Sequence, residues 1–229
     1  MSRKQTLISL REEVARILQQ FYLGLSPEEK AQEGSLEHWS IKHILYHIGL
    51  WDQRLAGNLW AALEGRPQAD YSQYLAISDQ DFPEYQRQSW GDVEQILSSS
   101  QQALLQALSA IPEEQLESNE FLQESEGDPA WRLLAWLLLN HPVLHVCDYL
   151  VQQGRAGQAL AIVLDFTEKG RALDDSDSWQ GLESYNQACY YARAGYKEQA
   201  RGKLSEALKL NPGLQAWSQQ DPDLALIRV

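Results

Sequence analysis

The stretch that decides the fold reads SIKHILYHIGLWDQRLAGNLWAALE, residues 40–64. Apolar side chains recur in it at three- and four-residue steps, which is the period of a helix with one buried face. Ser40 can cap the first turn, and Gly65-Arg66-Pro67 follows as a stop signal. We therefore predict one long helix here, with its apolar stripe turned towards a core.

The same period predicts three further long helices. The first begins near the N-terminus and ends near Gly24, the next fits residues 89–111, and the last begins at Asp128-Pro129 and runs to about residue 153. The sequence Ser26-Pro27-Glu28-Glu29 predicts a short capped helix between the first two. Residues 66–88 show no clean period, and we expect a connection there that is functional or partly ordered on the surface. Four helices of this length without β-type alternation predict an all-α four-helix bundle.

Pro142 conflicts with the last of these helices. A proline inside a helix costs about 3 kcal/mol and disfavours the α conformation of the preceding residue. We therefore predict either a kink at this point or a restart of the helix with Asn140 as its N-cap.

Charge and composition restrict the class of protein. The chain has 229 residues and a formal net charge of −13, of which −11 falls in residues 1–155 and −2 in residues 156–229. This shift predicts two domains over those ranges. A strongly acidic chain repels phosphate backbones, so we expect neither nucleic acid nor membrane as a partner. The sequence shows neither a leader segment nor an 18-residue apolar run, and it has two cysteines, which together favour a cytoplasmic protein.

The histidines predict a metal site. His141 and His145 stand four residues apart on the last bundle helix, so they project from one face with Cβ atoms about 6 Å apart. His47 comes from a different helix and lies deeper in it than His43. We predict that His47, His141 and His145 bind one ion and leave a fourth position open for water or substrate.

The type of ligand atom limits the choice of metal but does not identify it. Neutral imidazole suits zinc, nickel, copper or iron, and we expect a divalent ion, with zinc or nickel first. Asp148 follows His145 by three residues and could either orient an imidazole or bind the ion itself. In the alternative interpretation the histidines are hydrogen-bonded core residues. Cys147 points away from the His141/His145 face, which favours a packing role.

Two segments resemble the DinB/YfiT-like superfamily of four-helix bundles. These are Trp39-Ser-Ile-Lys-His-Ile-Leu-Tyr-His-Ile-Gly-Leu-Trp51 and Asn140-His-Pro-Val-Leu-His145, and the resemblance covers residues 3–153. It places His47 at a ligand position, whereas His43 stands where an acidic residue is common. The motifs Leu-Ser-Pro-Glu-Glu and Ile-Pro-Glu-Glu-Gln-Leu resemble the ClbS/DfsB branch most.

The resemblance implies an activity on a small electrophilic molecule. Superfamily members include divalent-metal thiol transferases and isomerases, and ClbS-like members hydrolyse a reactive cyclopropane natural product. A metal-dependent hydrolase or thiol-transferase is therefore our leading hypothesis, with a metal-independent ClbS-like hydrolase as an alternative. Four aromatic residues are candidate pocket walls: Tyr46, Trp51, Tyr71 and Tyr74.

The C-terminal residues resemble a tetratricopeptide (TPR) repeat over residues 181–214, and helices are predicted over 157–170, 179–194 and 197–210. One repeat cannot bury its own apolar face. We therefore expect it either to serve as a structural appendage or to recruit a protein partner, and the second possibility makes a non-catalytic scaffold the competing hypothesis. A homodimer is a further expectation, since dimers are common among such bundles.

Overall fold

A computed structural model describes residues 2–125 and 127–228 as helices and connections, and no strand occurs in these ranges. The predicted all-α class is therefore confirmed. The α-helices are α1 Arg3–Leu23, α2 Pro27–Ala31, α3 Ile41–Leu63, α4 Tyr74–Arg87, α5 Trp90–Ala110, α6 Glu113–Leu116, α7 Ala130–Ala135, α8 His141–Gln152, α9 Ala156–Gly170, α10 Asp177–Arg193, α11 Lys197–Leu210 and α12 Gln215–Ser218. Short 3₁₀ helices cover Gln123–Ser125, Arg171–Leu173, Pro212–Leu214 and Pro222–Ile227.

By compactness, the chain separates into one unit that ends at Pro142 and a second that begins at Val143. The division falls inside α8, which continues from one unit into the next. The domain boundary between residues 155 and 156 stays a prediction from charge distribution.

In the N-terminal unit, α3 packs along α5, and α5 also contacts α1. Close approach of α3 and α5 requires Gly49, because a Cβ there would come 2.8 Å from Ile96 Cγ2. Ser40 precedes α3 as predicted, and Ser26 and Ser89 cap α2 and α5 through their side chains. These caps place the starts of the helices where the sequence indicates them.

The connection predicted over residues 66–88 contains a helix that the sequence analysis did not identify. Helix α4 occupies Tyr74–Arg87, includes Pro83, and packs against α3. It buries only Ser78, Phe82 and Tyr85, so its apolar stripe is too narrow and too polar to give a periodic signal.

The predicted restart of the helix with Asn140 as its N-cap was wrong, whereas the alternative of a kink at Pro142 stays a prediction. The five residues Trp136–Asn140 form a π-helical turn directly before α8, and Asn140 belongs to that turn instead of capping a new helix. A π turn bonds each N–H one residue further back than an α-helix does, and such turns are a recognised cause of helix irregularity. The irregular turn immediately precedes His141.

In the C-terminal unit, α10 packs against both α9 and α11, and the last 3₁₀ helix also contacts α10. The three predicted helices of this region are confirmed within a few residues. Ser176 caps α10 by accepting a hydrogen bond from the Trp179 N–H.

One stretch of the described chain, Ala130–Gln152, is long and apolar enough to cross a membrane by length and composition. Its mean hydropathy is 1.2, and 61% of it is buried inside the structure. Buried core helices of globular proteins have the same properties, so this stretch is weak support for a membrane span.

Candidate metal centre

Helix α3 carries His47 into the core of the N-terminal unit. The residue lies on the stripe of Ile44 and Ile48, and only 4% of it is exposed. Aromatic rings surround its imidazole: the ring centroids of Trp39 and Trp51 lie 4.9 and 6.0 Å away. Because such an environment limits access of water, the two ring nitrogens need partners within the protein or a bound ion.

The structure brings His47 together with His141, as the sequence predicts. Their Nε2 atoms are 3.2 Å apart, and their ring centroids are 5.2 Å apart. Two nitrogens that each lie 2.0–2.1 Å from one tetrahedral zinc ion are separated by about 3.3 Å. The pair is therefore already spaced as two ligands of a single ion would be.

The Nδ1 atom of His47 forms a hydrogen bond with a tyrosine hydroxyl. Tyr85 Oη lies 3.2 Å from His47 Nδ1 and itself donates to Asp81 Oδ2 at 3.4 Å. Because the hydroxyl donates to the carboxylate, it accepts from the Nδ1–H, which leaves the lone pair on Nε2. Burial and the Asp81 carboxylate raise the pKa of Tyr85, so the phenol stays neutral. Asp81 is held in turn by Arg54 through two hydrogen bonds of 2.6 and 3.0 Å.

His145 follows His141 by one turn of α8. On this one helix the two residues offer ring nitrogens within 4.8 Å of each other. Burial lowers the pKa of His145, and the Asp148 carboxylate opposes that effect. Burial therefore favours the neutral imidazole, the form that binds metals.

Asp148 has partners within the C-terminal unit. Tyr190 Oη donates to its Oδ1 at 2.8 Å, and Arg193 forms an ion pair with the same oxygen. Its predicted role as the acceptor that orients an imidazole stays a prediction, supported by its effect on the pKa of His145.

The predicted pocket walls separate into two groups. Trp51 packs near His47, and Tyr71 meets the Trp51 ring at a centroid distance of 5.3 Å. Tyr46 instead donates its hydroxyl to Glu84, and Tyr74 is 57% exposed.

Cys147 is buried, and its thiol donates to the Ala159 carbonyl at 3.7 Å. Burial raises the pKa of this thiol, which agrees with the expected packing role.

Sequence reasoning missed Tyr85 and Asp81, the residues that fix His47. Both lie on α4, within the segment for which a connection was predicted. Their spacing of four residues was the one available signal, because it places the two side chains on one face of a helix.

A family model described as the DinB superfamily matches residues 10–146. The chain belongs to the DinB superfamily. The matched region of this DinB protein contains all three predicted ligands, and the superfamily includes proteins that bind divalent metal ions. No curated protein and no solved structure gives a significant match to the chain.

Proposed function

We propose that this DinB protein binds one divalent metal ion through His47, His141 and His145, and that it acts on a small electrophilic molecule. The observation that carries the proposal is the pair of Nε2 atoms 3.2 Å apart, one of them fixed by the hydroxyl on its Nδ1. The spacing of His145 on the same helix as His141 supports it as the third ligand.

The donor set fits borderline metal ions. Three neutral imidazoles with no carboxylate among them favour zinc or nickel over magnesium or calcium, which take oxygen ligands. Three protein ligands are also the number typical of catalytic zinc sites, in which a further position is left for water or substrate.

We further propose a hydrolytic or thiol-transfer reaction. A bound divalent ion lowers the pKa of water or of a thiol, or polarises the electrophile. The protein's own contribution is to hold His47 in one tautomer through Tyr85, and to line the site with Trp39 and Trp51 so that bulk water is kept away.

Measurement of the bound metal tests the proposal directly. Protein purified without chelator is analysed for bound metals, then stripped and titrated with zinc and nickel by calorimetry. We expect about one ion per chain in the wild type and a loss of binding in His47→Ala and in His145→Ala. The matched control is His38→Ala, which removes an exposed imidazole and should change nothing. Absence of stoichiometric metal, or equal binding by all variants, would refute the site.

Two other functions remain distinguishable from this one. A metal-independent hydrolase of the ClbS kind would consume electrophiles, such as epoxides, equally well before and after chelation. A scaffold would show no such activity and would act through the TPR-like C-terminal helices, where Tyr196, Trp217 and Leu226 are exposed. In that case Trp217→Glu, and not His47→Ala, should abolish co-purification of the protein partner.

We also propose that the protein is cytoplasmic and that it forms a homodimer. Cys147 and Cys189 are both buried free thiols, which suits a reducing compartment. Light scattering of the purified chain measures the assembly state, and nucleic acid or membranes are not expected among its partners.

A further inference from the structure

A polar cavity lies at the N-terminal end of α3, in the N-terminal unit. Its volume is about 510 Å³, and its walls include the loop after α2, the first turn of α3 and Trp90 of α5. Cavities of this size hold molecules with the dimensions of a metabolite. None of the three proposed metal ligands lines it.

Two lysines give this cavity a positive wall. Lys30 and Lys42 both line it, and neither forms an ion pair with any residue that the structure describes. The Lys30 ammonium lies 4.3 Å from the ring centroid of Tyr22 and 5.8 Å from that of Trp90. Glu33 is the acidic residue of the lining, and it is exposed. Two lysines in the lining of one cavity give it a local positive charge, although the whole chain has a net charge of −13.

Lys42 also occupies a helix position at which a positive charge is unfavourable. It is the second residue of α3, and a cation in the first turn opposes the helix dipole. The first-turn N–H groups of a helix and its dipole attract anions instead. The position of Lys42 is therefore better explained by a negatively charged ligand than by the stability of the helix.

A buried hydroxyl at the same place has no partner. Ser40 is 3% exposed and lines the cavity. Its Oγ lies at the capping-box position of α3 but forms no hydrogen bond of ordinary geometry within the described chain. A buried hydroxyl without a partner is unfavourable by about 1–3 kcal/mol, so such groups in native proteins ordinarily have a ligand or a water to bind.

The backbone of the loop after α2 packs closely against Ser40 and His43. A Cβ at Gly34 would come 2.3 Å from the Ser40 backbone nitrogen and 2.7 Å from His43 Nδ1. Burial and the neighbouring Lys42 charge lower the pKa of His43, so this residue stays neutral. His43 accepts the Ser40 N–H through Nδ1, which keeps the Nδ1 lone pair occupied.

We propose that this cavity binds a small organic anion, with its carboxylate or phosphate group held by Ser40 Oγ, Lys42 and Lys30 and its flat portion against the Trp90 indole. Two ammonium groups, a hydroxyl donor and a helix N-terminus form a charge-assisted set for an oxyanion. The aromatic wall adds apolar contact. The inference goes beyond the proposed metal function and does not depend on it.

Calorimetric titration of the full-length, metal-stripped protein tests the cavity with two probes at constant ionic strength. Inorganic phosphate and benzoate distinguish a phosphate ligand from an aromatic carboxylate, and sodium chloride is the reference. We expect saturable binding of at least one probe at one site per chain. Lys42→Gln should weaken that binding by at least about tenfold. The matched control Lys197→Gln, at the first residue of α11, should leave it unchanged.

Ser40→Asp provides a variant that keeps the helix. Aspartate is as good an N-cap as serine, but its charge repels an anion, so binding should be lost while the thermal midpoint is retained. The proposal fails if neither probe binds saturably, or if Lys42→Gln and Ser40→Asp bind as tightly as Lys197→Gln.

Discussion

Two polar side-chain pairs of the N-terminal unit, one buried and one half-buried, differ in the charges that they carry. Arg11 of α1 forms an ion pair with Asp52 of α3, with exposed fractions of 1% and 3%. Five residues earlier on α3, His47 meets His141 through two Nε2 atoms. The first pair carries charges of both signs and neutralises itself, whereas the second brings together two nitrogens that can each present a lone pair.

The difference separates a structural pair from a binding site. Arg11 also donates to the Leu138 carbonyl at 3.0 Å, so its guanidinium links α1, α3 and the π-helical turn. Two ring nitrogens that turn their lone pairs towards the same point repel each other. A cation placed between the two nitrogens would bind both lone pairs. We therefore expect the ion pair to determine stability and the imidazole pair to determine metal affinity.

Removing one partner of the ion pair should have the largest effect. Arg11→Met leaves the Asp52 carboxylate buried without its counter-charge, and we expect a loss of about 3–5 kcal/mol in the free energy of unfolding. The double variant Arg11→Met/Asp52→Leu should recover most of it, since an apolar pair needs no compensation. Urea unfolding measures both. Arg66→Met, which removes an exposed ion pair with Glu64, serves as the control and should cost less than about 1 kcal/mol.

The pH dependence of stability should report the same pair. Burial raises the pKa of Asp52 to about 6, and Arg11 opposes this effect. The folded protein therefore keeps a proton that the unfolded chain releases between about pH 4 and pH 6. The proton retained on Asp52 therefore adds its full contribution to the free energy of unfolding below about pH 4. That contribution, at most about 3 kcal/mol, is lost as the pH rises to about 6. Asp52→Asn should remove this slope, and an unchanged slope would contradict the assignment.

Zinc should stabilise the wild type through the imidazole pair. At a free concentration of one hundred times the dissociation constant, a ligand of the folded state adds about 2.7 kcal/mol to the free energy of unfolding. His141→Ala should abolish that gain. The Arg11→Met/Asp52→Leu variant should keep it, because the ion pair contributes no ligand. Thermal melting with and without zinc measures the difference.

The smallest effect is expected from the hydroxyl that orients His47. Tyr85→Phe keeps the ring contacts and removes the partner of Nδ1, so zinc affinity should fall about 10–100-fold while the fold persists. Tyr46→Phe is the matched control, because its hydroxyl binds Glu84 and not an imidazole. Equal affinities in the two variants would show that Tyr85 does not position the ligand.

The sequence was informative where side chains repeat along one helix. The stripe around Ile44 and Ile48 predicted α3 and the burial of His47, and the four-residue spacing predicted that His141 and His145 share a face. These are local consequences of helix geometry, which is why they could be inferred without tertiary information.

The sequence could not predict features that arise between elements. Arg11 interrupts the apolar stripe of α1, and only tertiary packing supplies Asp52 as its partner. Tyr85 was missed because the apolar stripe of α4 is narrow and the helix contains Pro83. Without a predicted helix, its four-residue spacing from Asp81 could not be interpreted. The π-helical turn before Pro142 was missed because the hydrogen-bond register of a helix leaves no side-chain pattern.

X-ray absorption spectroscopy at the zinc edge tests the central claim most directly. On zinc-loaded wild-type protein the account predicts three imidazole nitrogens at about 2.0–2.1 Å from the metal, and two in His47→Ala. A spectrum that the His47→Ala substitution leaves unaltered, or a wild type that retains no zinc after loading and dialysis, would contradict it.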